Sequence, residues 1–164
     1  MTTVSLLLLV LAAAPAPGMA YDPKAAAAAV LDDWHKAATE ADEPRYFGHF
    51  TADAVFMGTD ATERWTRDEF RAWSKPYFTR GKAWSFKAVK RYISISKDGA
   101  VAWFDETLDT PNLGPSRGSG VLVKQGSAWK IAQYNLSVPV PNDLMDDVVK
   151  RIAEYEKTKA APKK

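Results

Sequence analysis

Apolar side chains repeat with the period of a helix between residues 25 and 81. Val30, Leu31 and Trp34 fall on one helical face, after a run of alanines. Thr66 and Glu69 have the spacing of a capping box, in which each side chain bonds the backbone of the other, so a helix is predicted to begin there. The predicted elements of this region are a helix over residues 25–40, a short helix over about 43–50, a strand over 54–58 and a helix between Thr66 and Gly81.

From residue 83 the apolar period changes to two, which is typical of strands. Trp84 and Phe86 occupy even positions, whereas Ile93 and Ile95 occupy odd ones. This change of parity within one long strand predicts a bulge or a sharp bend. The predicted strands run from residue 83 to a hairpin turn at 97–99, over 101–108, over 118–124 and over 129–140.

A last amphipathic helix is predicted after the strands, with Asn142 as its N-cap. Its apolar stripe consists of Leu144, Met145, Val148, Val149, Ile152 and Tyr155. The basic tail at residues 158–164 is predicted to be disordered.

This order of elements predicts an α+β fold in a single domain over residues 21–157. The N-terminal helices are expected to pack on a strongly bent, mostly antiparallel sheet, because an open sheet of this kind needs one face covered. A bent sheet under helices forms a cone with an internal cavity. That cavity is the expected ligand site.

The N-terminal segment has the pattern of a secretory signal peptide. An apolar run over residues 5–14 is followed by prolines and by the small residues Gly18 and Ala20. The run is too short to span a bilayer, which needs about twenty apolar residues. We therefore expect residues 1–20 to be removed before Tyr21 and the protein to be exported to the periplasm or the exterior, with no membrane attachment after cleavage.

Composition excludes several classes of site. The chain has no cysteine and two histidines, His35 and His49, which excludes disulfides, thiolate metal sites, a cysteine nucleophile and a histidine-rich metal site. The last eight residues carry four lysines and no acid, so the remaining chain is nearly neutral. A basic tail on a neutral body is not a nucleic-acid footprint. No metal, no cofactor and no nucleic-acid partner are expected.

Four segments together resemble a known superfamily: TADAVFMGTDATERWTRDEFRAW, VAWFDETL, RGSGVLVK and WKIAQYNLSVPVPND. They resemble the nuclear transport factor 2-like superfamily, and within it the SnoaL-like domains, over about residues 25–142. The resemblance implies the ketosteroid isomerase-like cone fold. This superfamily includes isomerases, cyclases, dehydratases and proteins that only bind partners, so the fold alone does not decide the function.

Comparison with the enzymes of the superfamily shows where this chain departs from them. The general base of the isomerases lies at a place similar to Gly58, which has no side chain to abstract a proton. Their oxyanion acid lies on a later strand, where Asp105 or Glu106 is similar. The last strand has Gln133, Tyr134 and Asn135, which include no partner for the histidine base of scytalone-type dehydratases.

Glu106 and His49 are the candidate catalytic residues. Glu106 shares its parity with the apolar Phe104 and Leu108, so its carboxylate is predicted to be desolvated, with a raised pKa suited to a general acid or base. The alternative for Glu106 is a half-exposed carboxylate paired with Arg117 or a lysine. His49 is a candidate because an unperturbed histidine titrates near neutral pH, and its alternative is a structural role beside aromatic residues.

Six residues are predicted to contact a ligand. Asp60 and Arg117 adjoin turns at the predicted cavity mouth, where their alternatives are a local turn and a structural ion pair. Asn135 carries an uncharged amide that needs a partner, which a ligand or neighbouring backbone would supply. The full predicted set is Asp60, Trp65, Trp84, Trp103, Arg117 and Asn135.

These observations favour the binding of a small hydrophobic or aromatic molecule in the cone. One alternative is a cofactor-free isomerase, cyclase or dehydratase that uses a buried carboxylate or histidine as general acid or base. Another alternative is a dimeric assembly module without chemistry, built on the outer face of the sheet and the C-terminal helix.

Overall fold

The computed structural model describes residues 21–160, so the predicted signal peptide and residues 161–164 lie outside the described residues. In chain order the elements are α1 (Pro23–Thr39), α2 (Glu43–Gly48), β1 (Phe50–Met57), β2 (Arg64–Thr66), α3 (Arg67–Thr79), β3 (Lys87–Ile95), β4 (Val101–Asp109), β5 (Ser116–Gln125), β6 (Ala128–Ser137), a 3₁₀ turn (Asn142–Leu144) and α4 (Met145–Ala160). Among the described residues no helix is long and apolar enough to cross a membrane.

The helices begin where local side chains satisfy their free backbone N–H groups. The Asp22 carboxylate accepts a hydrogen bond of 2.9 Å from the Lys24 amide at the start of α1. At the start of α3 the predicted capping box is present: the Glu69 amide donates to the Thr66 hydroxyl, and the Thr66 amide donates to the Glu69 carboxylate at 2.8 Å.

The six strands form one sheet in the order β2-β1-β6-β5-β4-β3. The last four strands are the predicted antiparallel meander, and β1 adds to it in parallel beside β6. The register of β3 against β4 shifts between Ala88 and Lys90, which confirms the bulge that the change of parity predicted. A second shift lies between Val121 and Leu122, where β5 pairs with β6.

The helices α1, α2 and α3 cover one face of the sheet, with α1 against β3 and β6 and α3 against β1 and β2. The core between these layers is rich in aromatic rings, and Trp34, Tyr46 and Tyr134 have no solvent exposure. Burial of one large apolar side chain stabilises a fold by about 1.5–3 kcal/mol. The buried aromatic residues therefore contribute much of the stability of the packing between the helices and the sheet. The predicted α+β cone is confirmed.

Three local predictions differ from the structure. The three-residue strand β2 has too few residues to show an alternating pattern and was not predicted. Asn142 lies within the 3₁₀ turn, at whose start no side chain makes a cap hydrogen bond, so it is not an N-cap. Helix α4 continues through Ala160, so residues 158–160, predicted to belong to a disordered tail, are helical.

Candidate functional site

A cavity of about 690 Å³ opens between α3, the β1–β2 loop, the segment that leads into β3 and the turn after β4. Its wall is mainly aromatic. The aromatic and aliphatic side chains that line it are Phe56, Trp65, Phe70, Trp73, Tyr77, Ala83, Trp84, Phe86, Leu113 and Leu136. Ligand cavities in proteins have this size and this apolar character.

Several rings of the wall are nearly parallel. The Phe56 and Phe70 centroids lie 3.9 Å apart with an interplanar angle of 12°. Trp65 stacks on Phe70 at 17° and on Trp73 at 25°. Aromatic rings prefer such offset-stacked arrangements, and the outcome is a stack of nearly parallel rings in the cavity wall.

A few polar groups also line the cavity. Glu63 and Lys82 contribute a carboxylate and an ammonium group, and Thr110 and Asn112 contribute neutral groups. The Thr110 hydroxyl donates to the Gly114 carbonyl at 3.0 Å and accepts from the Leu113 amide at 3.2 Å, so it fixes the turn after β4.

A second polar site is enclosed between α1 and the sheet. The side chain of Glu106 on β4 has no solvent exposure. One of its oxygens lies 2.7 Å from His35 Nε2 and accepts a hydrogen bond of 3.2 Å from the Tyr134 hydroxyl, and the other lies 2.7 Å from Arg91 Nε. These four side chains are called the Glu106 cluster below. Arg91 also pairs with Asp32 on α1 at 2.7 Å.

The cluster determines the charge of Glu106. Burial raises the pKa of the Glu106 carboxyl, but the hydrogen bonds and charges of His35 and Arg91 outweigh burial, and the net pKa is lowered. The prediction of a raised pKa was therefore wrong, because it considered burial without the hydrogen bonds and the ion pair that His35 and Arg91 supply. Burial, together with the Glu106 charge, raises the pKa of the Tyr134 hydroxyl well above its ordinary value.

Phe86 and Phe56 separate the cluster from the cavity. The Phe86 ring lines the cavity and lies 6.1 Å from the His35 ring, and the Phe56 ring lies 5.6 Å from the Tyr134 ring. None of the four cluster members is part of the cavity wall as described for residues 21–160. Glu106 is therefore buried, as its parity predicted, but it faces ion-pair partners and not the cavity.

The family follows from comparison with known proteins. The model of the SnoaL-like domain matches residues 27–141, which is most of the chain. The chain belongs to the SnoaL-like domain family. Its fold is that of the nuclear transport factor 2-like superfamily, whose members include isomerases, dehydratases and ligand binders.

Solved structures resemble this SnoaL-like domain in fold. An NTF2-like protein of unknown function from Pseudomonas putida superposes with a TM-score of 0.61 at 14% identity, over 74% of this chain and 92% of that chain. A candidate scytalone dehydratase from Novosphingobium aromaticivorans gives 0.59 at 12% identity, over 71% and 84%. A candidate ketosteroid isomerase from Parabacteroides distasonis gives 0.56 at 14% identity, over 70% and 86%. Comparison with curated proteins gives no significant match.

The two histidines of the SnoaL-like domain both pair with carboxylates outside the cavity. His35 is buried beside Glu106, and His49, the candidate catalytic histidine, lies outside the cavity wall and pairs with Asp33 at 2.8 Å. Burial lowers the pKa of His49, and the Asp33 carboxylate only partly offsets this effect. The signal for His35 was available: it follows Ala27 and Leu31 at intervals of four residues, on the face of α1 that the core covers.

Two of the six predicted ligand contacts, Trp65 and Trp84, line the cavity. Asp60 does not, because its carboxylate accepts hydrogen bonds from the Thr62 amide at 2.8 Å and the Thr62 hydroxyl at 2.6 Å in an exposed local turn. The local-turn alternative for Asp60 agrees with this geometry.

The other three predicted contacts, Trp103, Arg117 and Asn135, lie on the outer face of the sheet, away from the helices. Trp103 is 51% exposed. Asn135 lies away from the cavity because β6 changes parity at its bulge, so that Ile131 and Tyr134 are both buried and Asn135 is turned outward. Arg117 is on the same outer face and does not pair with Glu106, whose guanidinium partner is Arg91.

Glu63 lines the cavity, although it is not among the six predicted ligand contacts. Its carboxylate stands beside Gly58, and a Cβ built on Gly58 would overlap it. The Glu63 carboxylate also accepts a hydrogen bond of 3.2 Å from the Asp60 amide, which orients it across the loop. Glycine at position 58 therefore leaves room for a carboxylate from five residues further along the chain.

Proposed function

We propose that this SnoaL-like domain binds a small, flat, hydrophobic or aromatic molecule in the cavity. The observation that carries the proposal is the stack of nearly parallel rings formed by Phe56, Trp65, Phe70 and Trp73 in the cavity wall. A planar aromatic ligand that packs face-on or edge-on against these rings gains about 0.5–1.5 kcal/mol per aromatic pair beyond the area that it buries. The volume of about 690 Å³ suits a molecule of two to four fused rings.

The polar groups of the wall restrict how such a molecule lies. Glu63 and Lys82 line the cavity and carry opposite charges, so a ligand with one polar end would direct that end toward one of them and leave its rings against the aromatic stack. We therefore expect the preferred ligands to carry a single hydroxyl or carbonyl group at one end of a fused-ring body.

A ligand screen with paired tryptophan variants tests the proposal. The probes are a naphthol, an anthraquinone and a steroid ketone, with binding measured by native mass spectrometry and by calorimetry. We expect Trp65→Leu to weaken binding of the best probe about tenfold. Trp103→Leu, which removes the same side chain from the outer face, is the matched control and should change affinity less than twofold. Failure of every probe to bind, or equal loss in both variants, would contradict the proposal.

One observation favours a second candidate function, an enzyme that moves a proton beside a carbonyl group. Gly58 is the position similar to the general base of the isomerases, and the Glu63 carboxylate occupies the space beside it. In this reading Glu63 takes a proton from carbon next to a bound carbonyl group and returns it, so no net oxidation occurs and no cofactor is needed.

Deuterium exchange tests this second candidate. A cyclic ketone that binds is incubated with the protein in D₂O, and deuterium in the recovered ketone is measured by mass spectrometry. We expect incorporation with the wild type and with Asp60→Asn, whose carboxylate is outside the wall, and loss of incorporation with Glu63→Gln. Exchange that is the same with Glu63→Gln as with the wild type would exclude Glu63 as the base, while the binding proposal would stand.

A further inference from the structure

The two charged side chains that line the cavity differ in their partners. The Glu63 carboxylate accepts a hydrogen bond of 3.2 Å from the Asp60 amide and lies against Gly58. The ammonium group of Lys82 makes no ion pair with any carboxylate in residues 21–160. An ionic group of a ligand therefore pairs more readily with Lys82 than with Glu63.

A second cation lies near the same part of the wall. The guanidinium carbon of Arg80 is 4.5 Å from the ring centroid of Tyr77, which lines the cavity. Arg80 also has no ion-pair partner within the described part of the chain. The segment 80–86, which joins α3 to β3, carries Arg80 and Lys82 and no acidic residue. This part of the cavity wall is therefore positively charged.

A positive charge beside aromatic rings selects the charge of a ligand. Lys82 is exposed, and an exposed ion pair in water contributes little. A fused-ring ligand changes this balance, because it displaces water from the aromatic wall and so reduces the screening between its own charge and the ammonium group. Hydrogen bonds between charged groups are also stronger than those between neutral groups. An anionic oxygen therefore gains more from Lys82 than a neutral oxygen does.

We propose that the preferred ligand is a fused-ring aromatic molecule with an acidic hydroxyl group, which binds as the anion with its oxygen beside Lys82. The hydroxyl gives its proton to the solvent and Lys82 keeps its own, so the bound pair consists of an aryl oxide and an ammonium group. The flexible stem of lysine lets the ammonium group reach this oxygen. This inference rests on the proposed binding function, and it selects the hydroxyl over the carbonyl group as the polar end of the ligand.

Two probes with the same rings test the charge preference. One is a naphthol with a nitro group para to its hydroxyl, which makes the hydroxyl acidic and the anion coloured. The other is the methyl ether of this naphthol, which cannot ionise. Calorimetry is carried out at a pH at which the free naphthol is ionised and lysine is protonated. We expect Lys82→Met to weaken binding of the naphthol about tenfold and binding of the ether less than about twofold.

The matched control is Lys87→Met. It removes the same charge from another exposed residue, which is not part of the cavity wall as described for residues 21–160. We expect it to leave both affinities unchanged. Both lysines are exposed, so neither substitution removes buried contacts of the fold.

The absorbance of the bound naphthol gives a second measurement, independent of the affinity. In the complex with the wild type we expect its hydroxyl to ionise at a lower pH than in water, because a neighbouring ammonium group lowers the pKa of a hydroxyl. In the complex with Lys82→Met we expect ionisation at a higher pH than in water, because the apolar wall then disfavours the anion.

The possible results distinguish this inference from the binding function on which it rests. Failure of both probes to bind the wild type contradicts the binding function and this inference together. If the ether binds as tightly as the naphthol, or if Lys82→Met and Lys87→Met have equal effects, the binding function stands and the ligand class is wrong. Tighter binding of the trimethylnaphthylammonium cation than of the naphthol would also overturn the inference and assign the charge preference to Glu63.

Discussion

The cavity and the Glu106 cluster lie next to each other on the covered face of the sheet, and they differ in how completely their polar atoms are partnered. In the cluster, Glu106 makes contacts of 2.7 Å with both His35 and Arg91 and accepts a bond from Tyr134. In the cavity wall, the Glu63 carboxylate accepts one hydrogen bond, from the Asp60 amide at 3.2 Å. A carboxylate with three partners stabilises the fold, whereas a lightly held one is available to a ligand.

This difference changes which acidic residue is the functional candidate. Burial and parity identify Glu106, but a buried carboxylate that is already paired with Arg91 and hydrogen-bonded by His35 and Tyr134 has little capacity left for a substrate. The Glu63 carboxylate has the opposite properties, since it belongs to a half-buried residue that lines the cavity. We therefore propose that the Glu106 cluster stabilises the fold and that the cavity residues contact a ligand. Three predictions test these two roles.

The largest expected effect comes from removing the charge at the centre of the cluster. In Glu106→Gln the guanidinium of Arg91 loses its buried anionic partner, and breaking a buried ion pair in this way costs about 3–5 kcal/mol. Urea unfolding followed by circular dichroism measures the change. Asp105→Asn, the exposed neighbour on the other face of β4, is the control and should change the free energy of unfolding by less than about 0.5 kcal/mol.

One result for Glu106→Gln would contradict the structural role of Glu106. A loss of stability below about 1 kcal/mol, together with a large loss of ligand affinity, would move Glu106 from the structural site to the functional one.

A smaller loss is expected at Gly118, where β5 passes the cluster. A Cβ at this position would overlap the Tyr134 hydroxyl and lie 2.9 Å from Glu106 Oε1. We expect Gly118→Ala to destabilise the protein by about 1–3 kcal/mol, as overpacking does, and to leave ligand affinity unchanged because Gly118 is not part of the cavity wall. Gly48→Ala, where a Cβ meets nothing within 4 Å, is the matched control.

Gly118→Ala is assessed by two measurements, the free energy of unfolding and the ligand affinity. Loss of stability with unchanged affinity separates the cluster from the cavity. Equal loss of both would show that the two sites are mechanically linked through Tyr134 and Phe56, whose rings are stacked.

The elements of the fold were largely predictable because their signals are local. The capping box at Thr66 and Glu69 and the parity change before Ile93 depend on residues close together in the chain, and the structure contains the cap and the bulge that they predict. The face of the sheet on which Trp103 lies could also be predicted, because Trp103 has the opposite parity to Glu106 in the same strand. The prediction that Trp103 contacts a ligand in the cone conflicted with that parity, and the structure places Trp103 on the outer face of the sheet.

The candidate site was less predictable because its contacts join distant parts of the chain. His35 and Glu106 are 71 residues apart in sequence, and Arg91 and Glu106 are 15 apart. The strand parity predicted that Glu106 is buried, but it did not identify the partners of Glu106. Those partners determine the direction in which the pKa of Glu106 shifts. The bulge in β6 has no glycine or proline to signal it, so the face of Asn135 could not be derived from the sequence pattern.

The smallest of the three effects concerns acid. Folding lowers the pKa of Glu106 below its ordinary value of 4.5, so its contribution to stability is complete above about pH 4.5 and is lost as the pH falls through the lowered folded value. The loss is smaller than that in Glu106→Gln at neutral pH, because the carboxylate protonates only in part over the accessible range. Asp33, whose pKa is also lowered by Arg45 and His49, contributes in the same direction in every variant, so only the difference between proteins is informative.

Unfolding free energies measured from about pH 6 to about pH 3.5 should therefore fall more steeply for the wild type than for Glu106→Gln. Parallel curves would mean that the ionised form of Glu106 gains nothing from His35 and Arg91, and the contrast between a partnered and an available carboxylate would then no longer hold.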